Sequence, residues 1–294
     1  MCSHARVRPQ QRARRPSIHA THIRLFRSLR RLALLLLATL GCACSTPGER
    51  FLDDAAARGF SRELRDADGL PIVVLRNHAG SDGAALHVYL DGDGQPFATR
   101  HRVATDPSSR ERLALALMAA DPHPAVLVGR PCYYVSAADC DSSLWTTARY
   151  GERVVTAMTL AIERVAATRP GVPLRLIGYS GGGTLAMLLA PRLPRVDTVV
   201  TIAANLDVAA WTRHHAYTPL GESQDPAVMP PLPAHIRQHH FLGARDDNVP
   251  PALVRAAIAR QPQARVDVVA DYGHACCWAA AWPKLLTSAL QRSD

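Results

Sequence analysis

The run Leu174 to Gly183 joins a β-type segment to a serine enclosed by glycines, Gly178-Tyr179-Ser180-Gly181-Gly182-Gly183, and an apolar helical pattern leaves it from Thr184 to Leu189. A serine on a tight strand-to-helix turn is presented off the end of its strand in strained backbone geometry, so the positions two before and two after it must be small. Gly178 and Gly182 meet that demand. The turn also sets the backbone N–H of Gly181 at a helix start, where the dipole favours developing negative charge. Such a serine attacks a carbonyl only with a base beside it and a carboxylate to orient the base. His274 is the base candidate, in Asp271-Tyr272-Gly273-His274, directly after the β-type run Ala264 to Ala270. His239 and His240 fall inside a strand-like run, where packing or solvent contact explains them. The acid stays open on position alone: Asp246 and Asp247 follow the run His239 to Gly243, and Asp207 follows the run ending near Ala203. The chemistry is acyl transfer through Ser180.

The elements that must carry these residues alternate. Strand-like runs are Pro71 to Arg76, Ala84 to Leu90, Ala125 to Val128, Leu174 to Tyr179, Val196 to Ala203, His239 to Gly243 and Ala264 to Ala270. Helical spacing covers Trp145 to about Thr168, Gly182 to Leu193, Pro251 to Arg260 and Trp278 to Gln291. Alternation of this kind predicts a parallel sheet covered on both faces. Tyr217 to Pro233 is proline-rich and aperiodic, which predicts a loop or small cap near the top of the sheet, shaping the pocket.

Four segments carry a resemblance: Tyr89-Leu90-Asp91-Gly92-Asp93-Gly94, Gly129-Arg130-Pro131-Cys132, Gly178 to Gly183, and His274-Ala275-Cys276-Cys277-Trp278. Residues 70–294 resemble the α/β-hydrolase superfamily, and the chain is similar to exported, cysteine-bearing serine hydrolases of Gram-negative bacteria. The resemblance implies an α/β-hydrolase fold, a mostly parallel central sheet with helices on both faces. It implies the order serine, acid, histidine, and Gly243-Ala244-Arg245-Asp246-Asp247-Asn248-Val249-Pro250 looks like the superfamily's acid loop, which makes Asp246 the acid; Asp207 is the rival, because some lipases of this fold use the earlier loop. Asp91-Gly92-Asp93-Gly94 takes the place of the superfamily's oxyanion loop, so the N–H of Asp93, or that of Gly92, is expected to join that of Gly181. The two acids are a departure beside a hole that must hold an anion; they are expected to cap the loop or to receive a cation. The implied activity is cleavage of a carboxylic ester or related acyl bond in a small-molecule substrate. Peptidase, thioesterase and acyltransferase chemistry use the same groups, and a non-catalytic envelope lipoprotein is the alternative of a different class. No cofactor is required, and neither the spacing of an EF-hand nor that of a zinc site is present.

Composition bounds the partners. The formal charge is +9, but residues 1–31 hold nine arginines and the first acid is Glu49. Removing them leaves 34 − 9 = 25 basic residues against 25 acidic ones, so the body is neutral and nucleic acid is not an expected partner. The Arg-rich stretch is followed by an apolar run, Leu32 to Leu40, too short to span a bilayer at about 20 residues. Such a pattern describes an export leader over residues 1–45, ahead of one catalytic domain over 46–294. Thr39-Leu40-Gly41-Cys42 resembles a lipobox, which implies lipidation of Cys42 and an anchor in the cell envelope; Cys44 is a second candidate, and free secretion to the periplasm the alternative. Outside the leader stand Cys132, Cys140, Cys276 and Cys277. In an oxidising compartment a Cys132–Cys140 bridge is expected, leaving Cys276 and Cys277 as a vicinal bridge or two thiols.

Overall fold

The computed structural model describes residues 45–77, 85–135 and 140–291; the Arg-rich stretch, the apolar run and Cys42 lie outside the described residues. Thr46 opens helix α1 (Pro47–Ala57) with a capping box, its hydroxyl accepting from the N–H of Glu49 at 3.1 Å while the Glu49 carboxylate accepts from the N–H of Thr46 at 2.7 Å. α1 buries Phe51, which stacks on Tyr134. A hairpin follows, β1 (Ser61–Ala67) and β2 (Leu70–Arg76), turned at Asp68 and Gly69, both at positive φ. Mirror-image turns of this kind match the twist of paired strands.

The remaining strands are β3 (Leu86–Leu90), β4 (Phe97–Thr99), β5 (Arg102–Val103), β6 (Ala125–Val128), β7 (Leu174–Tyr179), β8 (Val196–Ile202), β9 (Arg237–Gly243) and β10 (Ala264–Val269). Eight strands form one sheet in the order β1-β2-β6-β3-β7-β8-β9-β10, with β4 and β5 in a separate ribbon. β2 runs antiparallel to β1 and β6, and every pairing from β6 through β3 to β10 is parallel. The central strands are buried on both faces, as in Leu86-His87-Val88-Tyr89-Leu90, and this is why they read as continuous apolar runs.

The helices are α2 (Leu113–Ala119), α3 (Glu152–Ala167), α4 (Gly181–Leu189), α5 (Val208–His214), α6 (Pro251–Ala259) and α7 (Trp278–Leu290). α3 packs across β1, β2 and β6 and against α4, whereas α2 packs on β6, β3 and β7 and against α7. The expected mostly parallel sheet with helices on both faces is what the chain forms.

Two helix boundaries differ from expectation. The periodic stretch from Trp145 is not one helix: Ser142–Trp145 is a 3₁₀ turn, and α3 starts only after Gly151. Tertiary contacts win there, because Arg149 and Tyr150 turn their side chains toward Asp93. The helix after Ser180 stops at Leu189 and continues as a 3₁₀ turn through Arg192, because Pro191 has no N–H to offer the helical ladder.

Candidate active site

Ser180 sits between the end of β7 and the start of α4 with φ 52° and ψ −124°. A non-glycine residue there is strained and persists only when its surroundings hold it. They do: the Ser180 N–H donates to the Ile202 carbonyl at 2.9 Å, and its own carbonyl accepts from Gly183 at 2.9 Å. The glycines leave no choice of residue. A Cβ on Gly178 would come within 2.3 Å of the Gly182 carbonyl oxygen, and one on Gly182 within 2.1 Å of that of Leu90.

His274 follows β10, and its Nε2 lies 3.0 Å from Ser180 Oγ. Its Nδ1 lies 2.9 Å from Asp246 Oδ2. The other oxygen of Asp246 accepts from the N–H groups of Asn248 and Val249 at 2.9 and 2.7 Å, which fixes the buried carboxylate in the loop after β9. Neither rival acid meets the histidine. Asp247 is exposed, and Asp207 spends its side chain capping α5, accepting from the Ala210 N–H at 2.7 Å. The Tyr179 ring lies against the His274 ring with centroids 5.3 Å apart, and its hydroxyl donates to Glu111 at 2.7 Å.

The loop after β3 lies alongside: a Cβ on Gly92 would be 3.4 Å from the Cβ of Ser180. The two oxyanion candidates in it differ. The Gly92 N–H is taken by Asp91 Oδ1 at 2.9 Å. Among the described residues nothing accepts from the N–H of Asp93 or from that of Gly181. The acidic side chains are accounted for. Asp91 is buried and also accepts from the Tyr134 hydroxyl at 2.8 Å; burial, opposed by that bond and by the Gly92 N–H, pushes its carboxyl up to about 6. The Asp93 carboxylate accepts from Arg130 at 2.6 Å, from Arg149 at 3.1 Å and from the Tyr150 hydroxyl at 2.6 and 2.7 Å. Burial raises its carboxyl, and the two guanidiniums outweigh burial and hold it below the usual range. The cation expected for this loop therefore comes from within the chain. Asp93 also dictates the residue after Ser180, since a Cβ on Gly181 would lie 1.9 Å from Asp93 Oδ1. Reading the sequence finds neither arginine; Gly129-Arg130-Pro131-Cys132 is the one signal that pointed there.

Cys132 and Cys140 form a disulfide with an S–S distance of 2.07 Å, the pairing expected. Cys276 and Cys277 form the vicinal bridge, two residues past His274. The proline-rich stretch is a loop with one 3₁₀ turn, Pro226–Val228, as expected. Pro226, Pro230, Pro231 and Pro233 line an apolar cavity of about 330 Å³ with Met187, Leu188 and Pro191 of the α4 end, and none of Ser180, Asp246 and His274 lines it. At the opposite end of β3, donor atoms of His87, Asp121 and His123 lie within 4.8 Å of one another. Asp121 already accepts from the Tyr89 hydroxyl at 2.7 Å and the His123 N–H at 2.9 Å and pairs with both imidazoles, while Arg175 lies 3.4 Å from His87 Nε2. Those groups satisfy one another as a hydrogen-bonded network, with a cation at its side.

No protein-family model matches the chain, and no curated protein matches it. Solved structures do. A bacterial membrane phospholipase A, described as a virulence factor, is 17% identical with a TM-score of 0.58, covering 90% of this chain and 99% of its own. An esterase from Pyrococcus furiosus is 14% identical with a TM-score of 0.56, covering 80% and 94%. A lidless α/β serine hydrolase from Xanthomonas campestris is 16% identical with a TM-score of 0.52, covering 80% and 97%. With its sheet order and the strand-to-helix turn at Ser180, the chain has the α/β-hydrolase fold.

Proposed function

We propose that the chain is a serine hydrolase that cleaves a carboxylic ester through an acyl-enzyme, with Ser180, His274 and Asp246 as its triad. The observation that carries this reading is the relay of 3.0 Å from Ser180 to His274 and 2.9 Å from His274 to Asp246, built on a strained serine. His274 takes the proton of Ser180 as Oγ attacks the carbonyl, and Asp246 stabilises the imidazolium. The N–H groups of Gly181 and Asp93 receive the oxyanion of the tetrahedral intermediate. Collapse expels the alcohol, protonated by His274; the same histidine then activates water to release the acid. The mechanism needs no metal or organic cofactor. An ester is the substrate class favoured, because a phospholipase and an esterase share the fold and alkoxides leave more easily than amines.

Substituting Ser180→Ala is expected to lower turnover of p-nitrophenyl esters by about 10⁴-fold or more and to abolish fluorophosphonate labelling, with the fold intact. Labelling that survives the substitution would overturn the assignment. The leader reading remains part of the proposal: Cys42 carries a lipid that anchors the domain in the cell envelope. Metabolic incorporation of labelled palmitate should disappear in Cys42→Ala; incorporation that persists there points to Cys44 instead.

A further inference from the structure

The Gly92–Asp93 peptide has two ends with different fates. In a trans peptide the C=O and N–H point to opposite sides, so whatever fixes the Gly92 carbonyl also aims the Asp93 N–H. Arg130 Nε donates to the Gly92 carbonyl at 3.1 Å, and its terminal nitrogen donates to the Asp93 carboxylate at 2.6 Å. A third donation, to the Arg149 carbonyl at 3.2 Å, ties down the remaining corner of the fork. The guanidinium is buried, and its plane packs near the Tyr133 and Tyr150 rings. The strap that carries Arg130 grips the same loop twice more, through the Tyr133 hydroxyl to the Asp93 carbonyl at 2.9 Å and the Tyr134 hydroxyl to Asp91 at 2.8 Å. It is an unusual piece of backbone: Cys132 and Tyr134 both adopt positive φ, at 67° and 66°, and Cys132 is bridged to Cys140. Strain of this kind at non-glycine residues is retained where the surroundings enforce it.

We propose that Arg130 is a positioning residue for the oxyanion hole, acting through the Gly92–Asp93 peptide. It acts in two ways. The bond to the Gly92 carbonyl fixes the peptide plane, leaving the Asp93 N–H on the face away from Arg130 and without a partner. A cationic donor on that carbonyl also polarises the amide, which strengthens the N–H as a donor to a developing oxyanion. Asp93 supplies the countercharge that lets a buried guanidinium sit there, and Arg149 and Tyr150 close the rest of its carboxylate. A lysine at 130 keeps the charge but cannot bond three acceptors from one planar fork.

The proposal rests on the serine-hydrolase reading, and the test separates the two. Steady-state hydrolysis of a p-nitrophenyl ester is measured with wild type, Arg130→Gln and Arg130→Lys, alongside inhibition by a trifluoromethyl ketone, whose adduct with Ser180 places an oxyanion in the hole. Arg130→Gln is expected to lower kcat about 100-fold with KM nearly unchanged and to weaken the ketone in parallel, the scale seen when one oxyanion donor is lost. Arg130→Lys should recover part of kcat and ketone affinity together, and it preserves the buried charge if the glutamine variant does not fold. Loss through KM alone, or folded variants with wild-type kcat and ketone affinity, overturns the positioning role. A wild-type protein that neither hydrolyses esters nor takes the fluorophosphonate overturns the serine-hydrolase reading instead.

Discussion

Near the amino-terminal end of β3, Asp121 is surrounded by His87, Tyr89 and His123; in the loop past its carboxyl-terminal end, Asp93 is surrounded by Arg130, Arg149 and Tyr150. Asp121 is buried and Asp93 half-buried among donors, and both are held below the usual carboxyl range. For Asp121 burial is outweighed by bonds from His87 and Tyr89, for Asp93 by two guanidinium charges. What differs is the state of the backbone. The His123 N–H is itself given to Asp121, so the first network closes on itself and includes Trp282, which donates to the Tyr89 hydroxyl at 2.9 Å. The second network leaves the Asp93 N–H unclaimed among the described residues, beside the strained Ser180. A closed network satisfies its own polar groups, whereas an N–H that nothing among the described residues accepts from is free to donate to a ligand.

The largest expected effect lies at the open end. Asp246→Asn would present an amide N–H₂ to His274 Nδ1, favouring the wrong tautomer, and should reduce kcat by about 10⁴-fold with little change in the urea midpoint. Its equal at the closed end is a stability effect. Asp121→Ala strands the buried His87 imidazole and Tyr89 hydroxyl and should cost about 3 kcal/mol in urea denaturation, while kcat per titrated active site stays within about twofold. If Asp121→Ala instead removed activity from folded protein, the contrast between the two ends would fail.

A smaller effect sharpens the contrast within the loop after β3. Asp91 has a folded-state value of about 6 against 3.8 for the free group. Between those values the folded chain holds a proton that the unfolded chain has released, so this carboxyl makes stability fall as pH rises from about 4 to about 6, and acidification restores it. The difference in unfolding free energy between wild type and Asp91→Asn should therefore shift against wild type by about 2 kcal/mol across that window. A difference independent of pH would mean that Asp91 titrates as it does in water.

Much of this was legible in the sequence where the cause is local. The turn at Ser180 needs glycines at 178 and 182 for steric reasons that hold in any chain, so the motif carries its own geometry. The central strands announce themselves because both faces are buried, whereas β1, an edge strand with the polar run Ser61-Arg62-Glu63-Leu64-Arg65-Asp66, gives no such pattern. The capping box at Thr46 and Glu49 is a local signal of the same kind, carried by residues three apart. The false helical start at Trp145 has a different origin, since periodicity cannot register that Arg149 and Tyr150 are drawn off the helix path by a carboxylate 56 and 57 residues earlier.

By itself the sequence determined the strand–helix alternation, the strand-to-helix turn at Ser180 and the residue types able to serve as base and acid, because each depends on short-range sterics or on periodic burial. Which acid meets His274, which loop N–H is left without a partner and which arginines neutralise Asp93 were decided only by the tertiary structure. Those outcomes depend on hydrogen bonds between segments 28 to 94 residues apart in the chain, and no local preference encodes which of several chemically equivalent groups will arrive.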